Sequence, residues 1–392
     1  MKSEWNTSAI ANICKVVTDG SHTSPKSVSH GKYMVSVKDF TPYGFDFNGC
    51  RQISFADYEK LKSSGCVPQK GDILIGKDGA RYFEDIMIYN QDEAPALLSS
   101  IAILRCDEEK VIPEYLYYLL KTPSFKKDVK DNYGSGSAIP RIILKDFKRM
   151  KVEYPSIEKQ RQIVSILHDL DAKIFNNQKV NDNLEQQAAA LFSSLYNRSN
   201  TEVRYTDLIQ ILGGGTPKTG ETAYWNGNIA FFTPKDVGTP YTFITEKTIT
   251  EEGLSHCNSR LYPVNTVFVT ARGTVGKVGL SGVPMAMNQS CYALVGKETH
   301  QLLVYFYTLK AVDRLKHKAS GAVFDAITTR DFDSEQIMKL SDDDAKAFLC
   351  VAEPMFQEIL NNSIENLRLS TLRDFLLPKL MSGKIDVSSV QL

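Results

Sequence analysis

Residues 135–147 read SGSAIPRIILKDF, and residues 320–332 read SGAVFDAITTRDF. Both stretches open with Ser-Gly and close with Asp-Phe, and the second begins 185 residues after the first. The same offset continues downstream without a gap, so that Asn177 aligns with Asn362 and Asn181 with Asn366. Self-similarity at a fixed offset indicates a duplicated structural unit. The sequence therefore predicts two similar halves.

The likeness extends upstream of these stretches more loosely. DILIGKDG (72–79) and TVFVTARG (266–273) each read as a buried strand that ends in a polar Gly turn. EYLYYLLKTPSFKKDVK (114–130) and LLVYFYTLKAVDRLKHK (302–318) each read as a helix that ends in a basic turn. Each half is therefore predicted to be a mixed α/β globule.

A long helix with a heptad seam follows each globule. Seam positions step by four and three, which is the spacing of a coiled coil. In the first helix these positions are Ile163, Leu167, Leu170, Ile174, Asn177, Asn181, Leu184, Ala188, Leu191 and Leu195. In the second they are Phe348, Ala352, Met355, Ile359, Asn362, Asn366, Leu369, Arg373, Leu376 and Leu380. A seam of this length needs a partner, and the nearest partner is the other copy.

The four seam asparagines fix the register of this predicted helix pair. An antiparallel pair brings Asn177 near Asn366 and Asn181 near Asn362, whereas a parallel pair also opposes Asn to Asn. The order globule, helix, globule, helix favours the antiparallel pair, with the globules at its opposite ends. The predicted fold is mixed α/β (α+β): two similar globular domains separated by two long helices that form an antiparallel coiled coil, with a pseudo-twofold internal repeat.

The bulk composition is that of a globular protein with more than one core. The chain has 392 residues, 42% hydrophobic and 23% charged, with zero net charge. It has no apolar leader and no membrane-length apolar run, so we expect neither secretion nor membrane insertion. The seven cysteines form no C-x-x-C pair and the six histidines form no cluster. These features predict a cytoplasmic protein without a metal site.

Two Gly-rich stretches come close to a nucleotide-binding loop without matching it. The P-loop pattern is G-x-x-x-x-G-K-S/T, but Pro217 precedes Lys218 in GGGTPKTG (213–220), and Val278 follows Lys277 in ARGTVGKVGL (271–280). The chain also lacks any Pro-Pro, which an adenine methyltransferase needs in its N/D-P-P-Y/F motif. We therefore predict no cofactor and no catalytic residue. GGGTPKTG is interpreted as a loop between a helix and a strand, either a purely structural turn or one whose Lys218 meets a DNA phosphate.

Several motifs together resemble the specificity subunits of type I restriction–modification systems. GGGTPKTGETAYWNGNIAFFTPKDV (213–237) is similar to the start of a target-recognition domain, and VTDGSHTSPK (17–26) with YMVSVKDF (33–40) resembles another variety of it. EKQRQIVSILHDLDAKI (158–174) resembles the family's spacer, and LRDFLLPKLMSGKI (372–385) resembles its C-terminal signature. The second spacer, DDDAKAFLCVAEPMF (342–356), lacks the E-Q-R start, which puts its local contacts with a partner subunit in doubt.

The resemblance implies a non-catalytic DNA-binding subunit. Its implied partners are double-stranded DNA, two modification subunits that methylate adenine with S-adenosylmethionine, and a restriction subunit with ATP-driven translocation. Each recognition domain would read one half of a split target, and the helices would set the gap and dock the modification subunits. The implied division is recognition domain 1 (1–155), spacer helix 1 (156–198), recognition domain 2 (199–338), spacer helix 2 (339–386) and a tail (387–392).

Candidate DNA-reading residues are polar or charged side chains on loops, because such groups hydrogen bond to base edges. In the first domain they are Ser21, His22, Lys26, Lys38, Asp39, Lys77, Asp78, Arg81, Ser135, Ser137 and Arg141. In the second they are Thr216, Lys218, Lys235, Asp236, Arg272, Thr274, Lys277 and Ser320. Each of these could also contact phosphate or solvent. Tyr224 and Trp225 fit either stacking on DNA or a place in the core.

Two other functions remain open from the sequence. The chain could be a DNA nuclease or methyltransferase in its own right, in which case the purified chain alone would be active. It could also be a scaffold whose globules bind protein, in which case its association with DNA would be weak and insensitive to salt.

Overall fold

The computed structural model describes residues 5–41, 44–134, 140–238, 240–318 and 326–387. The chain divides into two compact units. The first unit comprises Met1–Lys173 and Arg368–Leu392, and the second comprises Ile174–Leu367. The predicted mixed α/β fold is confirmed, with strands and helices in each unit.

The first unit contains twelve of the strands and the first five helices, together with parts of two long helices. Its strands are β1 (Asn6–Ala9), β2 (Cys14–Asp19), β3 (Ser27–Val28), β4 (Lys32–Val35), β5 (Phe40–Thr41), β6 (Gly44–Phe45), β7 (Gln52–Ile53), β8 (Ile73–Gly76), β9 (Ile86–Ile88), β10 (Ala96–Leu97), β11 (Ile101–Cys106) and β12 (Lys151–Tyr154). Its helices are α1 (Ile10–Ile13), α2 (Phe55–Ser63), α3 (Pro113–Lys121), α4 (Pro123–Asn132) and α5 (Leu144–Arg149), and α6 (Ile157–Arg198) begins in this unit.

Two sheets carry most of the first unit. The order β2-β11-β8-β9 is antiparallel throughout, and the order β10-β4-β7-β3 contains one parallel pair, β10 with β4. Strand β8 reads ILIG with every residue buried, which is the pattern of a strand covered on both faces. Helix α3 ends before Pro123, and Thr122 caps the next helix by accepting a hydrogen bond from the Phe125 amide at 3.3 Å. The stretch expected to be one helix is therefore two.

The second unit repeats this architecture. Its strands are β13 (Thr201–Arg204), β14 (Ile209–Gly213), β15 (Trp225–Phe232), β16 (Tyr241–Thr242), β17 (Lys247–Ile249), β18 (Val267–Thr270), β19 (Val278–Ser281), β20 (Met285–Met287), β21 (Cys291–Gly296) and β22 (Gln336–Lys339). Its helices are α7 (Tyr205–Leu208), α8 (Glu251–Ser255), α9 (Gln301–Lys318) and α10 (Thr329–Ser334), and α11 (Asp342–Met381) begins here.

The sheets of the second unit share a common part with those of the first but differ in the number of strands. The larger sheet runs β14-β21-β18-β19-β16, and its first four strands correspond to β2-β11-β8-β9. The smaller sheet runs β17-β15-β20 and keeps the parallel pair, β15 with β20. Each unit also has a two-stranded antiparallel sheet, β1-β12 or β13-β22, whose second strand immediately precedes the long helix α6 or α11 in sequence. Within the four shared strands of the larger sheets, the pairing register identifies equivalent residues of the two units.

Segments of α6 and α11 pack together inside the first unit. Ile163 and Leu167 of α6 share one apolar core with Leu376 and Leu380 of α11. The seam residue Arg373 donates a 2.7 Å hydrogen bond to Asp171, whose other carboxylate oxygen accepts one from Tyr118. Because the later residues of α11 face the earlier residues of α6, the two helices run antiparallel here.

The seam asparagines contact each other in the second unit. Asn177 donates to Asn366 Oδ1 at 2.9 Å, and Asn362 donates to Asn181 Oδ1 at 3.0 Å. Asn177, Asn181 and Asn362 are buried. The pairing order is reversed along the chain, so the helices are antiparallel in this unit too. Buried amide pairs are satisfied only when the helices are in one register, which selects that register over a slipped one.

A buried glutamine joins α6 to the first domain. Gln160 is fully buried, and its Oε1 accepts a hydrogen bond from the Ile112 amide at 3.0 Å. Its Nε2 donates to the carbonyls of Lys110 and Pro155, both at 2.9 Å. Ala345 occupies the equivalent repeat position on α11 and cannot make these bonds. The missing E-Q-R start therefore removes a polar anchor from the second unit.

Gln160→Ala is expected to lower the free energy of unfolding of the first unit by about 1–3 kcal/mol, because it leaves a buried amide and two carbonyls without partners. The chain has two tryptophans, Trp5 in the first unit and Trp225 in the second. Denaturant unfolding followed by Trp5 fluorescence in a Trp225→Phe background measures the effect. Gln162→Ala, which removes an exposed glutamine from the same helix within the first unit, is the matched control. An equal effect of both substitutions would contradict the anchoring role.

The expected position of GGGTPKTG is corrected by the structure. The loop follows strand β14, which ends at Gly213, and leads into a short 3-10 helix, Thr222–Tyr224. The preceding residues YTDL form a helix of only four residues before the chain becomes extended. A short apolar run does not distinguish a helix end from a strand, which explains the error.

Candidate nucleic-acid interface

A loop closed by an aspartate follows an equivalent strand in each unit. After β4, Asp39 Oδ2 accepts hydrogen bonds from the Ser36 amide at 2.7 Å and the Ser36 hydroxyl at 3.1 Å. After β15, Asp236 Oδ2 accepts from the Thr233 amide at 2.7 Å and the Thr233 hydroxyl at 2.6 Å. We call residues 36–39 and 233–236 the capping loops. Both aspartates are thus engaged in holding their own loops.

Each capping loop presents an exposed lysine just before its aspartate. Lys38 makes no hydrogen bond or ion pair with any other described residue. Lys235 lies 3.7 Å from Glu246, and both side chains are largely exposed. Exposed ion pairs of this length contribute little to stability, so both ammonium groups are available to an anion.

A second loop follows the buried strands β8 and β18 and turns at a glycine. Gly79 has φ of 94° and Gly273 has φ of 82°, a conformation that side chains rarely adopt. We call residues 77–81 and 271–274 the glycine turns. Asp78 and Arg272 directly precede these glycines and form isolated antiparallel bridges to Arg141 and Ala326.

The capping loop and the glycine turn line one cleft in each unit. The cleft of the first unit has a volume of about 480 Å³ and is lined by Lys38, Asp78 and Arg81, among others. The cleft of the second unit has a volume of about 450 Å³ and is lined by Lys235, Arg272 and Thr274, among others. The Thr274 hydroxyl donates to the Pro234 carbonyl at 2.9 Å and so joins the two loops.

A third segment, residues 20–26 in the first unit and 214–218 in the second, contacts the residues that lead into β11 or β21. The Ser21 amide donates to the Leu97 carbonyl, and the Gly215 amide donates to the Met287 carbonyl. Gly20 and Gly214 lie so close to these residues that a Cβ would come within 2.3 Å of the Leu97 carbonyl oxygen or 2.2 Å of the Asn288 carbonyl oxygen. The amides of Lys77 and Ala271 bond the same stretches, through Ser100 and Ser290. Gly214 of GGGTPKTG therefore serves close backbone packing, as does Gly215, whose Cβ would come within 2.6 Å of the Asn258 amide nitrogen.

The predicted residues of this third segment have different environments. Ser21 is buried and its hydroxyl donates to the Thr23 carbonyl at 2.7 Å, whereas His22 and Lys26 are exposed. Thr216 is hydrogen bonded to Gln289, and Lys218 is exposed. The Lys218 carbonyl accepts a hydrogen bond from Trp225 Nε1 at 3.1 Å.

The charges at the two clefts differ. In the second unit, Arg272 and Lys277 are exposed and make no side-chain hydrogen bond or ion pair within the described part of the chain. In the first unit, Lys77 is buried, with its Nζ 3.4 Å from Asp19 Oδ2 and 3.5 Å from Asp78 Oδ1. Arg81 pairs with Asp85 at 2.8 Å, while Arg141 is exposed. At its glycine turn the second cleft thus carries the free cation Arg272, where the first cleft carries Asp78 beside the buried Lys77–Asp19 pair.

Three predicted residues, Ser135, Ser137 and Ser320, lie outside the described residues. Asp19 was not predicted from the sequence, nor were Lys247, Asn288 and Ser290, which line the second cleft. Lys247 lies 5.5 Å from the ring of Trp225, which packs edge-on against Phe231. Aligning the two halves upstream places Asp19 opposite Gly213, and a charged residue that is present in only one half is the signal that would have identified Asp19.

No cluster of three or more His, Cys, Asp or Glu residues within the described ranges is arranged to hold a metal ion. Within the same ranges, no helix combines the length and apolarity needed to cross a membrane.

One known family model matches both halves of the chain. The family model described as Type I restriction modification DNA specificity domain matches residues 2–186 and again residues 197–339. The two matches account for most of the chain and coincide with its internal duplication.

Several known proteins are similar to this chain. The specificity subunit of type I restriction enzyme MjaIX from Methanocaldococcus jannaschii is 24% identical, over 72% of this chain and 71% of that protein. The HindI specificity subunit from Haemophilus influenzae is 24% identical, over 81% and 87%. The EcoR124I/EcoR124II specificity subunit from Escherichia coli is 27% identical, over 70% of each. The crystal structure of the type I restriction–modification S subunit from M. genitalium matches with a TM-score of 0.60 at 14% identity, over 97% of each chain.

Proposed function

Because the chain belongs to the type I restriction–modification DNA specificity family, we propose that it selects the DNA target of such a complex, with each unit reading one half of a split site. The observation that carries this proposal is the duplicated cleft. Two loops of the same construction line it in each unit, and exposed cations lie on them. Cations position a protein on the phosphate backbone, and side chains at the turn reach base edges.

The specificity subunit is proposed to contribute no catalysis of its own. Its partners would be double-stranded DNA, two modification subunits that methylate adenine, and a restriction subunit that moves along DNA with ATP, all in the cytoplasm. The long helices α6 and α11 would dock the modification subunits and set the gap between the half-sites. Asn177, Asn181, Asn362 and Asn366 would keep these helices in register, as their reciprocal hydrogen bonds suggest.

Adenine methylation in cells tests this function. The chain is expressed with the modification subunits of its system in a host that lacks them, and methylated adenines are mapped across the genome. We expect one bipartite motif with a constant gap, present only when the chain is present. A host expressing the modification subunits alone is the control.

An adenine pattern that is unchanged by the chain, with soluble complex present, would refute the proposal. Methylation or cleavage by the purified chain alone would favour a stand-alone enzyme instead. Both outcomes are read from the same preparations.

A further inference from the structure

Asp78 and Arg272 occupy the same position in the two units. Each follows a buried strand, β8 or β18, and precedes a glycine with φ near 90°. Each bridges to a residue, Arg141 or Ala326, whose successor donates its amide back across the bridge. These amides are Ile142 to the Lys77 carbonyl and Ile327 to the Ala271 carbonyl, both at 2.9 Å. The backbone is therefore built alike, while the two side chains carry opposite charge.

Arg272 presents a free guanidinium to the second cleft. Its side chain is exposed, and within the described part of the chain the guanidinium has no partner. Its backbone is held by the amide hydrogen bond to the Ser290 carbonyl at 3.2 Å and by the bridge to Ala326. An arginine with a fixed backbone and an unpartnered guanidinium can donate two parallel hydrogen bonds. This pair of donors matches the O6 and N7 acceptors of guanine.

Asp78 presents a carboxylate to the first cleft. Its Oδ1 is buried, has no hydrogen-bond partner, and lies 3.5 Å from Lys77 Nζ. The side chain is 31% exposed and lines the cleft. Lys77 also pairs with Asp19, which holds the lysine in place. The fixed ammonium orients the Asp78 carboxylate and partly offsets the repulsion between that carboxylate and DNA phosphates. A carboxylate accepts hydrogen bonds only, and the base donors of the major groove are the exocyclic amino groups of cytosine and adenine.

We propose that Asp78 and Arg272 are equivalent specificity-determining residues that read opposite hydrogen-bonding groups in the two half-sites. Arg272 contacts a guanine in the half-site of the second unit. Asp78 accepts a hydrogen bond from an exocyclic amino group, of cytosine or adenine, in the half-site of the first unit. The proposal rests on the DNA-reading function proposed above. Lys77 and Asp19 are positioning residues for Asp78.

The test compares methylation motifs of complexes that carry Arg272→Lys, Arg272→Ala or Asp78→Asn. Lysine keeps the charge for a phosphate but loses the fork that fits guanine, so Arg272→Lys separates the two roles. We expect it to lower the preference for guanine at one position by about tenfold or more. Asp78→Asn is expected to change the preferred base at one position in the other half-site. The matched controls are Arg260→Ala and Asp131→Asn, which alter exposed residues that do not line either cleft.

The outcomes distinguish the inference from the proposed function. If wild type gives a bipartite motif but Arg272→Lys and Arg272→Ala both keep the guanine preference, or Arg272→Ala weakens methylation equally at all sites, Arg272 is a phosphate contact and the inference about it is wrong. If Asp78→Asn leaves both half-sites unchanged, or changes the same half-site as Arg272→Lys, the inference about Asp78 is wrong. If wild type itself gives no motif, the proposed function fails and the inference falls with it. The yield of soluble complex separates each result from misfolding.

Discussion

Lys77→Ala is expected to lower the free energy of unfolding of the first unit by about 3–5 kcal/mol, the cost of breaking a buried ion pair by removing one partner. The side chains of Lys77 and Asp19 are 7% and 8% exposed, with Nζ 3.4 Å from Oδ2. Without the lysine, the carboxylate of Asp19 keeps the exposed ring of His22, 3.3 Å away, as its neighbour. Unfolding in denaturant, followed by Trp5 fluorescence in the Trp225→Phe background, measures the change.

The second unit supplies the control for this substitution. Gly213 and Ala271 stand where the first unit has Asp19 and Lys77, so the same backbone is built there without the ion pair. The double variant Asp19→Gly with Lys77→Ala removes both charges and is expected to lose less than the two single variants together, with a coupling of about 0.5–3 kcal/mol. Strict additivity would mean that the pair does not act as a unit.

Phe192→Ala is expected to cost about 3–5 kcal/mol in the second unit, since it opens a cavity in a packed aromatic cluster. Phe192 is 1% exposed and lies on α6. Its ring centre is 5.0 Å from that of Phe306 on α9 and 5.4 Å from that of Phe348 on α11. The residue therefore joins three helices, and its loss affects both contacts.

Fluorescence of Trp225 in a Trp5→Phe background follows this unit during denaturant unfolding. Val180→Ala is the matched control, because Val180 lies on the same helix and is 46% exposed. It should change the free energy of unfolding by no more than about 0.5 kcal/mol. Comparable losses for the two variants would show that the aromatic cluster is not a stabilising centre.

The elements with strong periodicity were predictable from sequence. The heptad seam and its asparagines follow from spacing alone, and the strands 73–76 and 267–270 follow from buried apolar runs. The glycine turns follow from Gly79 and Gly273 at the ends of those strands. The division into five segments, 1–155 to 387–392, and the roles of individual reading residues stay predictions.

The side-chain environments of the site were not predictable in the same way. Asp39 and Asp236 stay predicted DNA-reading residues, but the sequence did not indicate that each closes its own capping loop, a local hydrogen-bonding choice that aspartate shares with many turns. Lys77, which directly follows β8, is buried beside Asp19, the last residue of β2. Such a pairing depends on strand order, which hydrophobic periodicity does not specify.

The first unit is discontinuous along the chain, and this has a consequence for biosynthesis. Its core includes Leu376, Leu377, Leu380 and Met381 of α11, while the second unit is the unbroken segment Ile174–Leu367. A ribosome delivers every residue of the second unit before it delivers Leu376. The half of the protein that is translated first is therefore the half whose core is completed last. Until Leu376 and its neighbours are synthesised, the apolar surface that they cover stays exposed and can bind other parts of the nascent chain or chaperones.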